Sequence, residues 1–157
     1  MTITAAEFQE LASQGAPYVG ELGCVIERFE PGLVEVRLPY AERLLRPGGT
    51  VCGPAMMALA DITLYGVVLS LIGRVELAVT TDLNVHFLAK ARPGDLLGRG
   101  RILRLGRVLA VGEVTIASVA GGARGRHLRH PARAALTGPS QPPRSAATRA
   151  RADPWRR

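Results

Sequence analysis

The sequence predicts an α+β domain, with one antiparallel sheet packed against a single buried helix. Three observations carry that expectation. Residues 53–72 are almost wholly apolar, open on Gly53-Pro54 and close on Gly73. Segments of alternating or β-branched sequence lie on both sides of this stretch. Turn signals at Glu30-Pro31-Gly32, Pro93-Gly94-Asp95 and Leu105-Gly106-Arg107 divide those segments into antiparallel neighbours.

Each element has its own warrant. Thr4-Ala5-Ala6-Glu7 reads as a capping box, and Phe8 and Leu11 follow at helical spacing, so a short helix is expected over 4–14. Residues 22–29 and 33–38 read as two strands, and Val34-Glu35-Val36-Arg37-Leu38 alternates as a half-buried strand does. A loop over 39–50 ends in Arg46-Pro47-Gly48-Gly49. The helix over 53–72 takes Gly53 as N-cap and Pro54 at its first position, where a missing N–H breaks no helical bond. Apolar nearly all round, it should be covered on most sides. Strands are expected over 77–88, 96–105 and 108–119.

Charge is divided sharply along the chain. The net +7 arises from a body of −1 over residues 1–120 and a segment of +8 over residues 121–157. The expected organisation is therefore one folded domain over 1–120 and an Arg/Ala/Pro-rich tail over 121–157 that buries too little apolar area to fold and is expected to be largely disordered. A short helix over 131–136 is the only element foreseen there. Two cysteines, Cys24 and Cys52, make no disulfide framework. The first residues lack a basic segment followed by an apolar one, so no signal peptide and a cytoplasmic location are expected. Residues 51–73 are apolar enough to suggest a membrane span. Asp61 near the middle and the flanking strands favour a core helix instead.

Asp61 is the only charged residue between Arg46 and Arg74. An ionised carboxylate in an apolar helix is costly without a partner, and such groups concentrate at functional sites. The other reading is a structural acid bonded to neighbouring backbone.

An ordered set of motifs then resembles a known family. Arg46-Pro47-Gly48-Gly49-Thr50-Val51-Cys52-Gly53-Pro54 is followed by Leu59-Ala60-Asp61 and by Thr80-Thr81-Asp82-Leu83-Asn84-Val85-His86-Phe87-Leu88. Pro93-Gly94-Asp95-Leu96 and Gly106-Arg107 complete the set. It resembles the hotdog-fold thioesterases of the phenylacetate-pathway (PaaI-type) group, within the 4-hydroxybenzoyl-CoA thioesterase superfamily. The resemblance implies a curved antiparallel sheet wrapped around one long helix, in chains that pair edge to edge as dimers or tetramers. It implies hydrolysis of an acyl-CoA thioester to free acid and CoA. Asp61 would act as general base or nucleophile, the Gly53 N–H would polarise the carbonyl, and Thr80 would help position water. Arg46, Cys52, Pro54, Thr81 and Asn84 would contact substrate. Coenzyme A is part of the substrate, and no separate cofactor, metal, membrane or specific nucleic acid is implied.

The chemistry is reasonable on its own terms. A helix N-terminus offers N–H donors and a favourable dipole to a developing oxyanion. Gly53 and Asp61 are eight residues apart, about 12 Å along one helix. One carbonyl cannot sit close to both, so a site built from Gly53 of one subunit and Asp61 of another is expected. Three positions depart from the family pattern: Cys52 and Pro54 stand in a common His-Gly-Gly, and Arg46 replaces a common Asn. Those departures leave a second reading open, a non-catalytic acyl-CoA-binding hotdog protein. A third is polyanion binding through the Arg tail, against which the neutral body weighs. Cys52 reads as a packing residue or as a thiol activated by the helix N-terminus. Arg99, Arg101 and Arg104 read as a solvated face or as contacts to CoA phosphates, and His86 as a strand residue. The family's last strand should lie between those at 108–119 and 77–88. Residues 123–130 contain no β-branched residue, so that strand is expected to be altered or missing.

Overall fold

The computed structural model describes residues 3–119 and 129–137. Helix α1 (Ala5–Gln14) starts at the expected capping box: the Thr4 hydroxyl accepts from the Glu7 N–H, and the Glu7 carboxylate accepts from the Thr4 N–H. A second helix, α2 (Pro17–Leu22), corrects the expectation of strand from residue 22. Pro17 in its first turn and Gly23 in the left-handed region (φ 69°) bracket it. β1 (Val25–Glu30) and β2 (Leu33–Leu38) then pair antiparallel. The motif at 46–50 is a small hairpin: β3 (Leu45–Arg46) pairs with β4 (Thr50–Val51), and Gly48 and Gly49 turn between them at φ 96° and 67°. Helix α3 (Gly53–Ile72) follows, then β5 (Val79–Val85), β6 (Asp95–Leu105), β7 (Leu109–Val119) and β8 (Arg129–Thr137).

The large sheet is antiparallel, with strand order β1-β2-β6-β7-β8-β5, and α3 lies against all six of these strands. This is the α+β arrangement of a curved antiparallel sheet around one long helix. α3 buries Leu59, Leu64, Val67 and Leu69 against Val34 and Val36 of β2, Leu96 of β6 and Ile116 of β7. By length and composition α3 could cross a membrane. Its burial against the sheet accounts for that hydropathy. Sheet and helix approach closely because β6 presents glycines. A Cβ at Gly98 would lie 2.7 Å from Thr63 Oγ1, and one at Gly100 would lie 2.7 Å from Val67 Cγ2. Such overpacking typically costs about 1–3 kcal/mol, so small residues here fix where α3 and its carboxylate sit.

β8 corrects two expectations, a last strand that is missing outright and a short helix at 131–136. Residues 129–137 pair with β7 on one side, and 132–137 pair with β5 on the other. The strand fills the place between its neighbours, where both offer unpaired backbone groups. Backbone pairing recruits a segment whose residue types do not favour strand. Pro131 falls just beyond the reach of β5, opposite Thr115, where β8 is flanked by β7 alone. Strands tolerate proline at such one-sided positions. The domain therefore extends past residue 120. The expectation of disorder for the rest of 121–157 falls on residues outside the described ones. β5 is shorter than the expected 77–88, and His86 lies beyond its end, exposed.

Candidate active site

α3 is covered on most sides, with one exception. Pro54 and Met57 are exposed, and Ala58, Asp61 and Tyr65 are half-buried. At three- and four-residue spacing these positions form one stripe along the helix. Asp61 thus lies on the one face of α3 that this chain's sheet leaves partly open.

Thr80, near the start of β5, donates its hydroxyl to Asp61 Oδ1 at 2.5 Å. The sequence had singled out both residues separately, and the fold brings them together. A carboxylate held by one hydroxyl keeps its remaining lone pairs for a water or a substrate. The pair edges a cavity of about 530 Å³ between α3, α1 and the segment entering β5. Ile62, Tyr65 and Leu11 also line it. The Tyr65 hydroxyl donates to the Glu76 carbonyl oxygen at 3.3 Å. Burial, reinforced by the Glu76 charge, raises the phenol above its ordinary range, so it stays protonated near neutral pH.

Gly53 occupies a different cavity, of about 460 Å³, with Arg46, Thr50, Met56, Phe87 and Lys90. Cys52, and not Gly53 as expected, is the helix N-cap, which puts Gly53 at the first and Pro54 at the second helical position; Cys52 makes no side-chain capping bond. The first-turn N–H groups, Gly53's among them, have no carbonyl one turn earlier to bond. Pro54 contributes no N–H, which leaves Gly53 as the donor nearest the helix start. The chain before the helix is pinned by bonds from Cys52 N–H to the Leu44 carbonyl oxygen (2.8 Å) and from Val51 N–H to that of Ala91 (3.0 Å). Gly53 and Asp61 therefore belong to one helix but to two cavities.

The remaining expected site residues are dispersed. Arg46 is exposed, and its Nε donates to Thr50 Oγ1 at 3.0 Å beside Gly53. Cys52 is half-buried, and Thr81 and Asn84 are exposed on β5, away from Gly53's cavity lining. Asp95 of the Pro93-Gly94-Asp95 motif does structural work, accepting from the Tyr40 N–H (2.9 Å) and from Arg37 (3.1 Å) to tie β6 to the end of β2. Arg99 pairs with Glu35, and Arg101 pairs with Glu113. Both arginines alternate with the helix-facing glycines, so they lie on the sheet face turned away from Asp61. Cys24 is buried, and burial pushes its thiol up to about 11, which keeps it unreactive at neutral pH. Sequence reasoning missed Tyr65, Lys90 and the α1 residues of the Asp61 cavity. Lys90 is the only lysine in the chain, a signal that could have drawn attention.

Comparison with known proteins locates this architecture. A family model described as the thioesterase superfamily matches residues 48–122, the stretch that holds α3 and both cavities' main walls. The proofreading thioesterase EntH of Klebsiella pneumoniae subsp. pneumoniae is 31% identical over 107 residues, 67% of this chain and 77% of that protein. A crystal structure from Silicibacter sp. TM1040, provisionally assigned as a thioesterase, is 36% identical with a TM-score of 0.74, covering 87% of this chain and 92% of that one. The PaaI protein of the Escherichia coli phenylacetic acid degradation operon superposes with a TM-score of 0.72 over 85% of this chain and 92% of its own, at 16% identity. That last likeness is one of fold alone.

Proposed function

The chain belongs to the thioesterase superfamily and is a thioester hydrolase, and from that premise we propose that it cleaves acyl-CoA at a site completed by two copies of itself. The observation that carries the reading is the separation of Gly53 and Asp61 into two cavities on one helix. Each cavity holds half of what thioester hydrolysis needs. A second copy whose α3 lies antiparallel along the open stripe would bring its Gly53 to this chain's Asp61.

Asp61, held by Thr80, takes the proton of a water as the water oxygen bonds to the thioester carbon. In the nucleophilic variant, the carboxylate attacks that carbon itself and water later cleaves the resulting anhydride. The Gly53 N–H, at the positive end of α3, receives the negative charge that builds on the carbonyl oxygen. The tetrahedral species collapses with loss of the C–S bond. On the general-base route the proton held by Asp61 passes to the departing sulfur, and the free acid and CoA leave together; on the nucleophilic route CoA leaves as thiolate and takes its proton from solvent, and water then releases the acid from the anhydride.

Two further features support this reading. Arg46 and Lys90 place positive charge beside Gly53, suited to the phosphates of CoA. β5 is an edge strand of the sheet, and Leu77, Val79, Phe87 and Leu88 on or next to it are exposed at 79%, 58%, 49% and 70%. An apolar sheet edge of this kind calls for a covering partner. Self-association through β5 would cover it, and it fits the PaaI-type organisation suggested by the motifs.

The direct test is free CoA measured by chromatography after incubation with acetyl-, hexanoyl-, decanoyl- and phenylacetyl-CoA. At least one should release CoA well above the buffer rate. Release from none of them, with simple non-CoA thioesters hydrolysed, would remove the CoA assignment and leave the hydrolase.

A further inference from the structure

The cavity beside Asp61 has a wall outside the 48–122 core of the domain. α1 supplies Leu11 and Ala12, the turn after it supplies Ala16, and α3 supplies Ile62 and Tyr65. We propose that this cavity receives the acyl group of the thioester, and that α1 and the turn following it set the length of acyl group accepted. The proposal rests on Asp61 being the catalytic carboxylate.

Three arguments lead there. The first is position. The reacting carbonyl must lie within hydrogen-bonding reach of the water or oxygen that Asp61 directs. The acyl group continues from that carbonyl, and Asp61 and Thr80 stand on the cavity's edge. The second is chemistry. The lining is mainly aliphatic, whereas the Gly53 cavity carries Arg46 and Lys90. An apolar acyl group and a polyanionic CoA would therefore part in opposite directions from the scissile bond. The third is size. A volume of about 530 Å³ falls within the range of about 300–1,000 Å³ usual for small-molecule sites. Ala12 and Ala16 present only methyl groups to this space. Ala16 is half-buried with φ −133° and ψ 90°, a negative φ open to any residue, so a larger side chain there should take up part of the cavity that Ala16 lines.

Each methylene buried in such a site is worth about fourfold in affinity, so small changes in the wall should be read out by chain length. The test compares Ala16→Leu and Leu11→Ala with wild type, using butyryl- and decanoyl-CoA for kcat/KM and the thioethers S-butyl-CoA and S-decyl-CoA for Kd. Ala16→Leu should lower the decanoyl-to-butyryl ratio about tenfold, and Leu11→Ala should raise it. The thioether affinities should move in the same sense, which holds the test to binding even if turnover is lost. Ratios within about twofold of wild type in both variants and both readouts would overturn the proposal. So would a change in oligomeric state without a change in ratio, since a second copy would then fill the space. Loss of turnover in Asp61→Asn with unmoved ratios would sink the acyl site alone. Full turnover in Asp61→Asn with shifted ratios would sink the catalytic reading alone.

Discussion

Replacing Asp61 with Asn is expected to lower kcat for acyl-CoA hydrolysis by about 10²- to 10⁴-fold, the usual contribution of a positioned general base. Asn keeps the size of the side chain and an oxygen that can accept the Thr80 hydroxyl, so that 2.5 Å contact survives. What disappears is a group able to take a proton or attack a carbonyl. Binding of an S-alkyl-CoA thioether should stay close to wild type, because an interaction made only in the transition state leaves ground-state affinity alone. The opposite pattern, a rate near wild type with a lowered melting temperature, would make Asp61 a structural acid.

Gly53→Pro is expected to lower kcat by about 10²- to 10³-fold, the typical loss when one oxyanion donor is removed. The substitution deletes the N–H at the first position of α3, where proline is well tolerated and no helical bond is broken. Apart from its chain neighbours, a Cβ at Gly53 would meet the Phe87 ring at 3.5 Å, an ordinary contact, and any crowding against Pro54 is shared by the alanine variant. Gly53→Ala keeps the donor and adds only a methyl group, so its kcat should lie much nearer wild type than that of the proline variant. Equal losses in both would mean that glycine is needed for space and that its N–H does nothing. Because Pro54 is already unable to donate, no neighbouring residue at the second position can compensate for Gly53.

Much of this was legible in local chemistry. α3 announced itself through Gly53-Pro54 at one end, Gly73 at the other and an apolar sequence between them, and its residue range was foreseen. Asp61 stood out because a lone charge in such a helix needs a reason, and Thr80 because of a motif. Three features could not be read in the same way. α2 spans only Pro17–Leu22, too short for a helical period to show beside the strand-like residues that follow. β8 is recruited by the open backbone edges of β7 and β5, and pairing across a sheet leaves little trace in the recruited segment. The wall that α1 gives to the Asp61 cavity joins residues about fifty positions apart, Leu11 and Asp61 among them, and no periodicity reports a contact at that range. The eight-residue spacing of Gly53 and Asp61 was legible, and their division between two cavities gives that spacing its structural form.

The central claim is that Gly53 and Asp61 act together only across two chains, and a hybrid dimer tests it most directly. Asp61→Asn and Gly53→Pro chains carrying different affinity tags would be co-expressed and purified through both tags in turn. Each parent homodimer should be nearly inactive. In the hybrid, one site joins the intact Asp61 of the Gly53→Pro chain to the intact Gly53 of the Asp61→Asn chain, while the other site carries both defects. The hybrid should therefore recover about half of wild-type activity, as expected for a two-fold dimer with one working site. A hybrid no more active than its parents would place both groups of each site on a single chain and contradict the account.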